Sequence, residues 1–211
     1  MKLLELSNIN NLKVKEGFYN GISGKAVFSK NNNIRKRYFL EKRWGQGTNV
    51  LTALMMNPSK AAHDNSDDTV NQLIEVAKNN NCDALYVVNV SSYIEGSSKK
   101  MKSDKFIFDN INWSYIEHAI SESKIIFIGW GMKGQNGILQ QIKKNRNVIR
   151  TLNEAKELIY AYEFVQSKNK KYINKPFYYV PHPRPIWNKE KYRKQSLHKL
   201  TLVQFDRLFN R

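Results

Sequence analysis

The sequence predicts an α/β fold with three layers, in which helices cover both faces of a central, mainly parallel sheet. Three short apolar runs, Val50–Met56, Ala84–Val90 and Lys124–Trp130, have the length and composition of buried strands. Stretches with a helical spacing of apolar residues separate these runs along the chain. Strands that alternate with helices are typical of parallel sheets that are covered on both sides.

The first part of the chain, residues 1–33, is polar and is interpreted as an N-terminal extension that carries the start of a hairpin. Ala26–Ser29 and Arg35–Glu41 predict two strands, and the three Asn residues at 31–33 predict the turn between them. A length of 211 residues favours a single domain over residues 1–211.

Helices are predicted between and after the strands. Asp67 or Asp68 is suited to cap a helix that ends at the Asn cluster 79–81. Its apolar residues have the i, i+3, i+4, i+7 spacing: Val70, Leu73, Ile74 and Ala77. Two more helices are predicted over 112–121 and 136–157.

The C-terminal part predicts two strands and a helix. The strands are expected over 158–165 and over Phe177–Val180, just before Pro181. From Lys191 onward a helix is expected, with a broad apolar face made of Leu197, Leu200, Phe205 and Leu208.

The charge balance indicates a polyanionic partner. There are 35 Lys and Arg residues against 18 Asp and Glu residues, a formal net charge of +17. A protein that neutralises phosphates releases their condensed counterions, which favours binding. DNA, single- or double-stranded, is therefore the expected partner, and a solvated basic surface is the alternative interpretation.

A metal ion, a cofactor and a membrane are not expected as partners. A single cysteine, Cys82, cannot form an intramolecular disulfide or a cysteine-rich zinc site, and no metal or cofactor is predicted. No apolar run approaches the roughly 18 residues that a membrane span needs, so no membrane partner is expected. A cytoplasmic location is the expectation that fits these features.

Four segments that follow predicted strands are candidates for a site, because ligands of parallel sheets bind beyond the carboxyl ends of the strands. The segments are Met56–Ser59, Asn89–Ser92, Gly129–Gly131 and His182–Ile186.

These segments resemble motifs of the uracil-DNA glycosylase superfamily. M-N-P-S at 56–59 is similar to G-I-N-P-G of the mismatch-specific enzymes and to G-Q-D-P-Y-H of family one. Asn89 in Y-V-V-N resembles the Asn of L-L-L-N, which reads the flipped uracil. I-F-I-G-W-G at 126–131 is similar to F-L-L-W-G, and H-P-R-P-I at 182–186 to H-P-S-P-L. In that last motif the His polarises uracil and the Leu wedges into the duplex.

The closest resemblance is to proteins with the domain of unknown function 1643. Their pattern R-Y-x-L-x-R-x-W-G is followed by R-Y-F-L-E-K-R-W-G at 37–45. Their N-P-S-T-A-D and D-D-P-T correspond to N-P-S-K-A-A at 57–62 and D-D-T at 67–69. The resemblance runs from about residue 36 to residue 187.

The resemblance implies catalytic positions at Asn57 and His182, if the chain is active. A turn histidine that only hydrogen-bonds backbone groups is the alternative interpretation of His182. Family one has an Asp at the position of Asn57, where it activates the attacking water. An amide cannot accept that proton, which typically costs about 10²–10⁴-fold in rate. Ser59 is smaller than the Tyr that closes the family-one pocket. Near it, His63, Asp64, Asp67 and Asp68 are possible acids or bases, or else simply a capped helix start with solvated carboxylates.

The resemblance also implies a DNA-binding loop. Arg184 replaces a Ser that contacts phosphate, and a guanidinium binds phosphate with a bidentate fork. Ile186 is the expected wedge, since apolar side chains insert between base steps; a core contact is the alternative. Trp130 is expected in the core rather than in the site. The predicted nucleic-acid-binding residues are Pro58, Ser59, Asn89, Arg184, Ile186, Trp187, Lys189, Lys191 and Arg193.

The leading hypothesis is a DNA-binding protein on a glycosylase-like scaffold, with little or no uracil excision. One alternative is an active glycosylase on uracil or another damaged base. A second alternative is a decoy that binds the acidic, DNA-mimicking inhibitor proteins of true glycosylases, through the same basic groove and Ile186.

Overall fold

A computed structural model describes residues 3–31 and 35–209. The helices are α1 (Leu3–Ile9), α2 (Asp68–Asn79), α3 (Asn110–Ser121), α4 (Gly131–Lys144), α5 (Arg146–Glu154) and α6 (Leu202–Phe209). The strands are β1 (Lys13–Tyr19), β2 (Ile22–Phe28), β3 (Arg37–Arg43), β4 (Val50–Met55), β5 (Ala84–Asn89), β6 (Ile125–Ile128), β7 (Ile159–Ala161), β8 (Val165–Gln166), β9 (Tyr178–Tyr179) and β10 (His198–Lys199).

Eight strands form one mixed sheet in the order β1-β2-β3-β5-β4-β6-β7-β10. The four strands β5, β4, β6 and β7 are parallel, as predicted. The strands that flank them pair antiparallel, so the prediction of a mainly parallel sheet holds only for the centre. One of these antiparallel pairs is a tight hairpin, because Asn20 and Gly21, between β1 and β2, both have positive φ.

Apolar side chains of the central strands point alternately to the two faces of the sheet. On β4, Val50 and Leu54 belong to the cluster that includes α3, whereas Leu51 and Ala53 belong to the cluster that includes α2. Helices therefore pack on both faces, and the α/β class predicted from the sequence is confirmed.

Strands β4, β5 and β6 and helix α2 lie where the sequence predicts them. Asp67 caps α2, because its carboxylate accepts hydrogen bonds from the backbone N–H groups of Thr69 and Val70, both at 3.0 Å. Residues 26–29 and 35–41 overlap β2 and β3, and part of the predicted turn at 31–33 lies outside the described residues.

The C-terminal predictions need correction. The helix expected over 136–157 is two helices, because Asn145 is extended and caps α5. The strand expected over 158–165 ends at Ala161. The strand at 177–180 is β9, which pairs with β8 in a separate two-stranded sheet. Residues 191–194 form turns, β10 follows at His198–Lys199, and the helix expected from Lys191 onward begins only at Leu202.

Candidate functional site

A cavity of about 640 Å³ lies at the carboxyl ends of β4 and β6. Its volume falls within the roughly 300–1,000 Å³ that is usual for small-molecule sites. Apolar side chains, among them Met56, Trp130 and Tyr192, form much of the wall. The polar side chains that face it include Asn57, Ser59, Glu95, Lys133, Glu163 and His182.

Asn57 follows β4 and lines the cavity, as predicted. Its amide nitrogen donates to the carbonyl of Pro58 at 2.9 Å and to the carbonyl of Glu95 at 2.8 Å. Both amide hydrogens are thus used to join two loops. Asn57 therefore positions the loop that contains Pro58 and Ser59, and it has no group that takes up a proton.

The carboxylates near Asn57 have structural partners. The Ser59 hydroxyl donates to Asp67, which also caps α2. Asp68 pairs with Arg184 across the mouth of the site. His63 lies 3.5 Å from the carboxylate of Asp64 and does not line the cavity. The Asp pair thus has the geometry of a capped helix start rather than of an acid–base pair.

Asn89 ends β5 but does not line the cavity. Its side chain is only 1% exposed, and neither atom of its amide has a hydrogen-bond partner among the described residues. The structure therefore does not bring Asn89 together with Asn57 and His182, the arrangement that the motif comparison implied. In this conformation the Asn89 amide is not exposed to the cavity.

The segment after β6 joins the cavity to the His182 loop. Trp130 is 1% exposed, and its indole N–H donates to Gln135, so it is a core residue that also forms part of the wall. Gly131 has a φ of +67°, which favours glycine, and its N–H donates to the carbonyl of Val180 at 3.0 Å. This bond brings the segment that follows β9 to the edge of the main sheet.

His182 lines the cavity, and its ring is held by the backbone of Arg184. Its Nδ1 lies 3.0 Å from the backbone nitrogen of Arg184 and 3.1 Å from the carbonyl oxygen of the same residue, so Nδ1 accepts in one neutral tautomer and donates in the other. Burial lowers the pKa of His182 below its ordinary value, more than the hydrogen bond to Arg184 and the charge of Asp67 raise it. The ring is therefore neutral at neutral pH.

Arg184 and its neighbours form the rim. Its guanidinium lies 3.0 Å from the Asp68 carboxylate, so a phosphate that binds there competes with this carboxylate. Ile186 and Trp187 are 78% and 72% exposed. The alternative interpretation of Ile186 as a core residue is therefore wrong for this structure.

The basic residues after the loop differ in their partners. Lys191 pairs with Glu163 at 2.8 Å and lies over the ring of Trp187. Arg193 pairs with Glu190 on the exposed surface. Lys189 forms no ion pair with any described residue. An open groove of about 870 Å³ adjoins the cavity and is lined by Glu163, Glu190, Lys191, Arg193, Lys194 and Gln195.

Sequence reasoning missed Gln72, which holds the loop in place. Gln72 lies on α2 and is buried, with its amide nitrogen 3.3 Å from the Tyr162 hydroxyl and from the carbonyls of Pro183 and Tyr192. A polar residue on a helix usually faces solvent, so its position in the sequence carried no signal.

Sequence reasoning also missed the two carboxylates of the cavity, Glu95 and Glu163. Glu163 comes two residues after β7. The strand-end rule, that ligands bind beyond the carboxyl ends of parallel strands, would identify Glu163 if the strand were predicted to end at Ala161. Burial raises the pKa of Glu163, but hydrogen bonds from Lys191 and Tyr192 and the charge of Lys191 lower it below the ordinary value. Glu163 is therefore ionised at neutral pH.

The described residues show no grouping of three or more His, Cys, Asp or Glu side chains that could hold a metal ion. Cys82 is buried and free. In the part of the chain that the structure covers, the helices are too short or too polar to cross a membrane.

The fold and the cavity define an α/β protein with a candidate ligand site at the carboxyl ends of its parallel strands. A family described as "Protein of unknown function (DUF1643)" matches residues 37–176, and the chain belongs to this family. The match includes Asn57 and Glu163 and ends before His182.

Other comparisons add little. No curated protein matches the chain. Among solved structures, an acetyl xylan esterase from Paenibacillus sp. R4 is similar over 68% of this chain, at 11% identity and a TM-score of 0.33. The match covers 53% of the esterase, about half of its length.

Proposed function

We propose that the chain is a DNA-binding protein on a three-layer scaffold of the uracil-DNA glycosylase type, with little or no uracil excision. The observation that carries the proposal is the exposed pair Ile186 and Trp187 at the rim of the cavity. In this proposal Ile186 enters the base stack, Trp187 stacks on a base, and the displaced nucleotide occupies the cavity.

The surroundings of the loop support this proposal. Gln72 and the ion pair between Arg184 and Asp68 hold the loop in place. Ile186 and Trp187 therefore lose little conformational entropy when DNA binds. Lys189 has no acidic partner among the described residues and is available for phosphate. The net charge of +17 supplies long-range attraction to the same polyanion.

Weak uracil excision is proposed because Asn57 replaces the family-one Asp and uses both amide hydrogens on backbone carbonyls. One observation favours a second candidate function, a glycosylase for another base. Glu163 is a carboxylate on the same cavity wall as the neutral His182, and it could accept a proton from water.

Fluorescence anisotropy with labelled DNA tests the proposal. Two duplexes of one sequence are compared over several salt concentrations, one fully paired and one with a base opposite an abasic site. We expect tighter binding of the second duplex, because its base is extruded at lower cost. We also expect affinity to fall as salt rises. Absence of binding at low salt, or equal binding of both duplexes, would contradict the proposal.

A glycosylase assay separates the two candidates. Oligonucleotides that contain uracil or another damaged base are incubated with the protein and treated with alkali to cleave abasic sites. Excision that is lost in Glu163→Gln and retained in Asn57→Ala would favour the second candidate.

A further inference from the structure

The cations on the cavity wall all have partners. Lys133 donates to the carbonyls of Ser98 at 2.6 Å and Met101 at 3.3 Å. Arg184 is bound to Asp68 and Lys191 to Glu163, as described above. Among the described residues of the wall, no Lys or Arg is therefore free to bind an anionic group deep in the cavity.

The hydrogen-bond acceptors on the wall are less fully used. Oε2 of Glu163 receives bonds from Lys191 and Tyr192, both at 2.8 Å, whereas Oε1 receives none from the described residues. Oδ1 of Asn57 likewise receives none, although its amide nitrogen donates twice. Two side chains that line the cavity therefore each keep an acceptor oxygen without a partner among the described residues.

Donors also line the wall. The Ser59 hydroxyl donates to Asp67, and the Trp130 indole donates to Gln135. Thr69, Ser98, Tyr179 and Trp187 line the cavity as well and carry side-chain donors. A ligand that complements Glu163 must donate a hydrogen bond to it, because an ionised carboxylate only accepts.

We infer that the cavity prefers a base with an exocyclic amino group, such as cytosine, over uracil or thymine, and that Glu163 accepts the amino hydrogen bond. This inference rests on the proposed function. Cytosine and uracil have nearly the same shape, but cytosine carries the N4 amino donor where uracil carries the O4 acceptor. An O4 atom beside the ionised Glu163 places two acceptors together and leaves both unsatisfied.

The test uses two duplexes that differ only in the base opposite an abasic site, cytosine or uracil. Neither base is paired, so the cost of extrusion is similar. We expect the unmodified protein to bind the cytosine duplex about tenfold more tightly by anisotropy, the effect of one hydrogen bond to a charged group. Equal affinity, or a preference for uracil, would overturn the inference and leave DNA binding intact. Failure to bind either duplex would instead overturn the proposed function.

The variant Glu163→Gln tests whether Glu163 accepts the hydrogen bond from the amino group. Its amide has the same shape, can still accept from Lys191 and can donate to O4, so the preference should fall to within about twofold. The matched control is Glu157→Gln, because Glu157 also pairs with a lysine, Lys199 at 2.7 Å, but does not line the cavity. If folded Glu163→Gln still prefers the cytosine duplex, Glu163 is not the residue that recognises the amino group. If that variant does not fold, the comparison of bases on the unmodified protein still decides the inference.

Discussion

Truncation of Ile186 should weaken DNA binding without changing the stability of the fold. Full burial of an isoleucine side chain contributes about 1.5–3 kcal/mol. Because 78% of Ile186 is exposed, most of this free energy is still to be gained when the side chain enters the base stack. Ile186→Ala keeps one methyl group, so the expected loss is about 1–2 kcal/mol, or roughly 5–30-fold in Kd. The free energy of unfolding should change by less than about 0.5 kcal/mol, as for other exposed positions.

Anisotropy at one fixed salt concentration measures the change in Kd, and urea unfolding measures stability. The matched control is Ile9→Ala, because Ile9 is 72% exposed and lies on α1, which does not line the cavity. We expect this control to bind DNA like the unmodified protein. An unchanged Kd for Ile186→Ala, or an equal loss for Ile9→Ala, would refute the reasoning.

Three further predictions concern the groups that hold the loop and its histidine. Gln72→Leu should lower the free energy of unfolding by about 1–3 kcal/mol in urea, because two buried carbonyls lose their donor; an unchanged midpoint would contradict its positioning role. Asp67→Ala should cost about 1 kcal/mol through the lost cap of α2, whereas Asp67→Asn should cost little; equal losses would argue against the cap. The NMR titration of His182 should have a midpoint below 6.5, because burial lowers its pKa. Its neutral form then stabilises the fold above pH 6.5, and this contribution is lost as pH falls through the lowered pKa; a midpoint at or above 6.5 would contradict the burial.

The centre of the fold could be predicted because its local signals agree with its tertiary structure. Strands β4 and β5 are apolar on both faces, and both faces are in fact buried. Helix α2 combines an N-cap, Asp67, with one apolar stripe that packs on the sheet. Where pattern and packing favour the same element, the sequence alone is sufficient.

The C-terminal part could not be predicted, because its structure depends on contacts between distant residues. Tyr192 is almost fully buried, stacks on Tyr162 at 5.1 Å and donates to Glu163. These contacts hold residues 191–194 in turns, although their composition is compatible with a helix. Tertiary contacts here outweigh helix propensity.

The candidate site could be predicted in part. The strand-end rule located Asn57 and the loop at His182, and both line one cavity. It could not show that the Asn89 side chain is buried, because burial depends on the packing of the whole fold. The rule also missed Glu163, because the strand predicted over 158–165 extends four residues beyond the end of β7 at Ala161.

Gln72 has a consequence for local opening of the structure. The buried amide of Gln72, on α2, contacts residues from separate parts of the chain: Tyr162, Pro183 and Tyr192. The loop cannot detach from the sheet edge without breaking the same set of hydrogen bonds. Amide protons and protease sites in residues 182–192 should therefore become accessible together, in one opening event, despite the lack of regular secondary structure there.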